Sequence, residues 1–108
     1  VISSELNSTG LSEQETADIK AVFSRYPQVK KVLLYGSRAK GNFRPASDID
    51  LSLVGNDIDL SVQNEIELEL DDLMLPYKFD ISVYHKIKDA GLINHIDRVG
   101  KLIYHDDG

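Results

Sequence analysis

No cysteine occurs in the 108 residues, so disulfides and thiolate metal sites are excluded. Long apolar runs are missing too: the stretch from Val32 to Tyr35 falls far short of the roughly 20 residues a membrane-spanning helix needs. No signal-peptide pattern opens the sequence, and a soluble, cytoplasmic protein is expected. Positive charge is scarce, with 12 Lys and Arg against 18 Asp and Glu and a formal net charge of −6. Such a surface repels a phosphate backbone, which argues against extended nucleic-acid binding. A small anion such as a nucleoside triphosphate stays accessible, because metal ions and a few local donors can neutralise it. Repeats, linkers and low-complexity segments are absent as well.

What is present suits one ordinary domain spanning residues 1–108. The apolar fraction of 42% and the charged fraction of 28% are those of a soluble globular chain, and the length allows a single core. Residues 1–10 have no sustained apolar period and read as an irregular lead-in. Ser12 and Glu15 have the spacing of a capping box ahead of a helix whose apolar face is Ile19, Val22, Phe23 and Tyr26, ended by Pro27. Val29 to Tyr35 predicts a buried strand, Gly36-Ser37 the turn out of it, and Arg38 to Lys40 a single helical turn before Gly41. Asn42 to Ser47, with Pro45, is a loop.

A second strand is expected from Asp48 to Val54. Leu60 to Leu75 alternates like a strand in part, but its length, its Glu and Leu content and the N-cap at Asp59 favour a helix. Phe79 to Tyr84 reads as a third strand. A helix follows over Lys86 to Val99, with Leu92, Ile93, Ile96 and Val99 inward and Gly100 as C-cap, and Leu102 to Tyr104 adds an edge strand. Alternating elements of these lengths predict an α/β or α+β fold, a small mixed sheet flanked by helices.

The chemistry lies on the second and third strands. Period-2 geometry puts Asp48, Asp50 and Ser52 on one face and Ile49, Leu51 and Leu53 on the other. Neighbouring carboxylates repel, and Asp is disfavoured in strands, so a purely structural strand gains nothing from them unless a cation or donors sit between. The third strand repeats the pattern: Asp80, Ser82 and Tyr84 oppose Phe79, Ile81 and Val83. If the two strands are neighbours, three carboxylates converge, a hard oxygen set suited to Mg²⁺. Gly36 lets the backbone approach a phosphate, a helix opening at Ser37 points N–H groups outward, and the Ser37 hydroxyl adds a donor. Arg38 and Lys40 lie just beyond, within reach of phosphate oxygens.

The run from Leu33 to Gly41, Leu-Leu-Tyr-Gly-Ser-Arg-Ala-Lys-Gly, followed by Ser47-Asp-Ile-Asp-Leu, resembles the signature of the polymerase β-like nucleotidyltransferase superfamily. The resemblance covers roughly Val29 to Tyr84. By size and wording the chain is most similar to the minimal nucleotidyltransferases, the group that includes MNT antitoxins paired with HEPN-domain toxins, and the trailing Gly100-Lys-Leu-Ile-Tyr is typical of these small proteins. Gly-Ser and Asp-x-Asp at this one spacing arise by chance in roughly one chain of this size in a thousand.

The resemblance implies a nucleotidyltransferase fold in which Asp48, Asp50 and Asp80 ligate metal, two Mg²⁺ ions by expectation. It implies that Gly36 and Ser37 bind the triphosphate, with Arg38 and Lys40 beside them. The reaction would pass a nucleoside monophosphate, from ATP by expectation, to a hydroxyl acceptor with pyrophosphate leaving. The domains with which larger superfamily members hold an acceptor are not in this sequence, so the acceptor is expected on another chain. By resemblance that chain is a HEPN-family toxin, which makes this protein its antitoxin. Two alternatives stand beside this: a module that binds nucleotide or neutralises its partner without turnover, and a transferase acting on a small-molecule acceptor.

Arg44, Ser47 and Ser52 read as loop or supporting residues. His85, His95 and His105 lie on different elements without metal-ligand spacing and read as surface or helix-face histidines. The acidic run from Glu65 to Asp72 reads as a solvated helix face.

Overall fold

A computed structural model describes residues 9 to 106. The expected lead-in over residues 1–10 therefore lies outside the described residues except for Thr9 and Gly10, which form a turn. Helix α1 (Glu13–Ser24) opens on the expected capping box: the Ser12 Oγ accepts from the Glu15 N–H at 3.0 Å and the Glu15 carboxylate accepts from the Ser12 N–H at 2.9 Å. It stops three residues before Pro27.

Strand β1 (Lys31–Tyr35) begins two residues later than the apolar run suggested, since Val29 and Lys30 belong to the approach from the helix. The single turn α2 (Ser37–Lys40) ends at Gly41 in the left-handed conformation, φ 87°. Strand β2 (Ile49–Val54) leaves Asp48 one residue outside its N-terminal end.

Helix α3 (Leu60–Asp71) starts where the Asp59 side chain accepts from the Val62 N–H at 2.9 Å. The ambiguous Glu-Leu alternation is thus helical, but the helix stops short of Leu75. Met74 turns to a φ of 58°, off the helical path, and Pro76 follows. Strand β3 (Phe79–Val83) gives way at Tyr84 to a 3₁₀ turn over Tyr84–Lys86. Helix α4 (Ala90–Val99) begins four residues later than Lys86, because the Asp89 side chain caps it by accepting from Gly91 and Leu92. Gly100 is its C-cap, and strand β4 (Lys101–His105) follows.

The sheet runs β3-β2-β1-β4, mixed as expected: β1 pairs antiparallel with β2 and β4, while β2 and β3 are parallel and joined through α3. One face carries Val32, Leu34, Ile49, Leu51 and Leu53, all fully buried, together with Ile19, Val22 and Phe23 of α1 and Ile66 and Leu70 of α3. The other face carries Tyr35, Asp50, Ser52, Asp80 and Ser82, with α4 lying against β1. Of the four residues expected inward on α4, only Ile96 is fully buried. Among the described residues no helix is long and apolar enough to cross a membrane.

The apolar face should govern stability. Leu51→Ala, at the centre of β2, is expected to cost about 2–5 kcal/mol by urea denaturation, through lost transfer energy and the cavity left behind.

Candidate active site

The register between β2 and β3 decides the site. Asp50 pairs with Asp80, and Ser52 with Ser82, across the parallel ladder. Asp50 also stands opposite Tyr35 on β1. Two carboxylates and a tyrosine therefore share one end of the polar face, and behind them the Ser82 hydroxyl donates to Ser52 Oγ at 3.2 Å and lies 3.5 Å from the Tyr35 hydroxyl. Burial, followed by the charges of Asp80 and Asp48, pushes the Asp50 carboxyl above the usual carboxylate range, with His95 pulling the other way. Burial also raises the Tyr35 hydroxyl, Asp80 and Asp50 add to the effect, and its bond to Ser82 opposes them.

Asp48 feeds the same field from just before the strand, exposed like Asp80. The three carboxylates are not drawn into a cage: among the described residues no group of three or more His, Cys, Asp or Glu side chains is placed to hold a metal ion. Like charges gain nothing from closer approach unless a cation lies between them. The donors nevertheless fit Mg²⁺ in kind, since that ion is satisfied by one or two carboxylates completed by water and phosphate oxygens.

Gly36 is pressed against the central carboxylate. A Cβ built there would meet Asp50 Oδ2 at 2.1 Å, and the residue adopts φ 74° and ψ −155°, a conformation open to glycine. Its N–H donates to His95 Nε2 at 3.1 Å. The His95 ring stands edge-on to Tyr35, with centroids 6.0 Å apart. His95 was expected as a plain helix-face histidine, yet it faces the site. Its position three residues after Leu92 and one before Ile96 puts it on the inward stripe of α4, a sign readable from the spacing.

Arg38 goes elsewhere than expected. It is 1% exposed, its guanidinium donates to the carbonyls of Thr9, Pro45 and Ser47 at 2.8–3.1 Å, and it stacks between the rings of Phe43 and Tyr77. These bonds tie the loop before Asp48 to the turn after Gly36 and leave the group no path to a phosphate. Lys40, at the end of the same helical turn, is exposed.

Ser47 accepts from the Arg44 N–H through its hydroxyl at 2.8 Å, and Ser52 is wholly buried. His85 and His105 are exposed, and among the described residues Glu69 alone of the acidic run makes an ion pair, with Arg25, while also accepting from Tyr26.

Residues 17–108 match the family described as polymerase beta, nucleotidyltransferase. The chain belongs to that family. Among solved structures, a toxin–antitoxin with AMP-PNP superposes with a TM-score of 0.70 at 19% identity, over 85% of this chain and 74% of that one. The toxin–antitoxin MntA-HepT gives 0.65 at 16%, over 88% and 74%. An MNT antitoxin in complex with tri-AMPylated Shewanella oneidensis HEPN toxin gives 0.66 at 16%, over 89% and 74%. Likeness at these identities carries the fold. No curated protein matches the sequence significantly.

Two outcomes are expected. Gly36→Ala should lower stability by roughly 1–3 kcal/mol in thermal melts, through the positive φ and the collision with Asp50. Asp50→Asn should stabilise the fold at pH 7. The folded-state pKa of Asp50 lies above its unfolded value, so its ionisation opposes folding at neutral pH, and the mutant's advantage should fade as pH falls through that carboxyl's range. Melting curves of both proteins across pH would show it, and an Asn variant less stable at pH 7 would contradict the origin of the shift.

Proposed function

We propose that this protein is a Mg²⁺-dependent nucleotidyltransferase that moves AMP from ATP to a hydroxyl on a HEPN-family toxin, and so acts as its antitoxin. The observation that carries the reading is the pairing of Asp50 with Asp80 beside a glycine turn, on the fold of the nucleotidyltransferase family. The solved relatives with AMP-PNP and with a tri-AMPylated HEPN toxin support the choice of nucleotide and acceptor.

Asp48, Asp50 and Asp80 would be the oxygen ligands, with Asp50 central because it is the half-buried member pressed against Gly36. Bound there, Mg²⁺ would screen the phosphates and lower the pKa of the attacking hydroxyl. Gly36 lets the backbone approach the triphosphate chain, the donors of Ser37 hold it, and Lys40 offers a positive charge at the end of the same turn. Arg38 contributes by holding the loop and the turn together. The acceptor oxygen attacks the α-phosphorus, the bond to the bridging oxygen breaks, and pyrophosphate departs with that electron pair while the hydroxyl proton is lost to solvent. Alignment and charge neutralisation suffice for such a step without a protein nucleophile.

The test is transfer of label from ATP labelled at the α-phosphate, with Mg²⁺ and the product of the adjacent gene. Wild type should label the partner, while Asp48→Ala and Asp50→Ala should each slow transfer by at least about 100-fold, as loss of electrostatic stabilisation does elsewhere. If no label moves and the partner is still inhibited by both variants, the protein is a neutralising module instead. Label passing only to small hydroxyl compounds would point to a small-molecule transferase.

A further inference from the structure

Beyond that assignment, and resting on it, we infer that His95 is a positioning residue of the nucleotide site: it holds the Gly36 turn, and through it Asp50, in the arrangement that receives the triphosphate. A backbone N–H can only donate, so the 3.1 Å contact from Gly36 makes His95 Nε2 an acceptor and puts the imidazole proton on Nδ1. The ring cannot drift from this pose freely. Its edge contact with Tyr35 fixes one side, and Tyr35 is itself 7% exposed, with its hydroxyl at Ser82.

Gly36 is thus held on two sides. His95 fixes its N–H, which sets the plane of the peptide leading into the turn, and the Asp50 carboxylate occupies the space a side chain would fill. Because Gly36 tolerates many backbone conformations, its own sequence context does little to choose among them. His95 supplies that choice from a different element, the helix α4, 59 residues further along the chain. With the Gly36 N–H engaged, phosphate recognition falls to the donors of Ser37, one peptide further on, whose direction follows from that plane and from the φ 74° and ψ −155° of Gly36. Loss of the His95 contact frees the turn to rotate and lets Asp50 move with it, so the effect appears in nucleotide binding before it appears in folding.

The experiment compares His95→Gln, His95→Asn and His95→Leu in the full chain. ATP binding is measured by calorimetry with Mg²⁺, melting temperatures are recorded, and the Gly36 amide is followed by ¹H–¹⁵N NMR. The Gln Oε1 reaches the place of Nε2, whereas Asn is too short and Leu has no acceptor. Asn and Leu should weaken ATP binding about five- to tenfold, the scale of one lost hydrogen bond. They should also shift the Gly36 amide proton upfield, and Gln should recover most of both. The Asn and Gln variants share polarity, so their difference survives even if Leu fails to fold. ATP binding by Asn as tight as wild type, in a chain that melts normally, overturns the role of His95 while leaving the site intact. Failure of wild type itself to bind ATP overturns the nucleotide site and this role with it.

Discussion

The parallel pairing of β2 with β3 is the constraint from which the rest follows. It sets Asp50 beside Asp80, a placement that on its own opposes folding. Two unit charges about 4 Å apart repel by roughly 1 kcal/mol in water and 4 kcal/mol at an effective dielectric of 20. The opposite face of β2 outweighs this. Ile49, Leu51 and Leu53 are wholly buried, and burial of such side chains contributes about 1.5–3 kcal/mol each. A strand so anchored has no freedom to slip, because a one-residue shift would send its aliphatic row to the polar side. The same register that secures the core therefore holds the carboxylates together against their repulsion.

The turn that faces those carboxylates needs its own support, and two residues from distant parts of the chain provide it. Arg38 works from beneath, bonding to Thr9, Pro45 and Ser47 and so linking the segment before α1, the loop before Asp48 and the turn α2. A guanidinium is suited to this, since its planar fork can serve several carbonyls while its faces stack on Phe43 and Tyr77. His95 works from above through the Gly36 N–H. The two basic residues of α2 consequently divide: Arg38 is internal and structural, and Lys40 is left at the surface.

Much of this was legible beforehand, and the exceptions have physical causes. Hydrophobic period located the four strands and placed Asp50 and Asp80 on the polar face, and capping chemistry located the starts of α1 and α3. The start of α4 differs because the apolar pattern reaches back past Asp89, whereas the helix obeys its cap. Arg38 and Lys40 looked alike because a chain position two residues from a turn does not say whether a long side chain points in or out. Burial of Arg38 depends on carbonyls at Thr9, Pro45 and Ser47 that no local pattern reveals. His95 lacks metal-ligand spacing, yet its place on the apolar stripe of α4 marks it as inward. Its partner at Gly36 could be known only once the fold brought α4 to β1.

On the proposed function, the graded exposure of the three carboxylates bears on where the acceptor comes from. Asp50 is half-buried, while Asp48 and Asp80 are exposed on either side of it. A site open to this degree admits water as readily as any alcohol, and water is present at far higher concentration. Transfer to a hydroxyl then requires that the acceptor be held at the α-phosphate and that water be displaced from around it. A docked protein surface does both at once, since the contact that delivers the hydroxyl also covers the exposed carboxylates. Solvent exposure thus favours a macromolecular acceptor over a small diffusing one, which would have to displace the same water with far less buried surface.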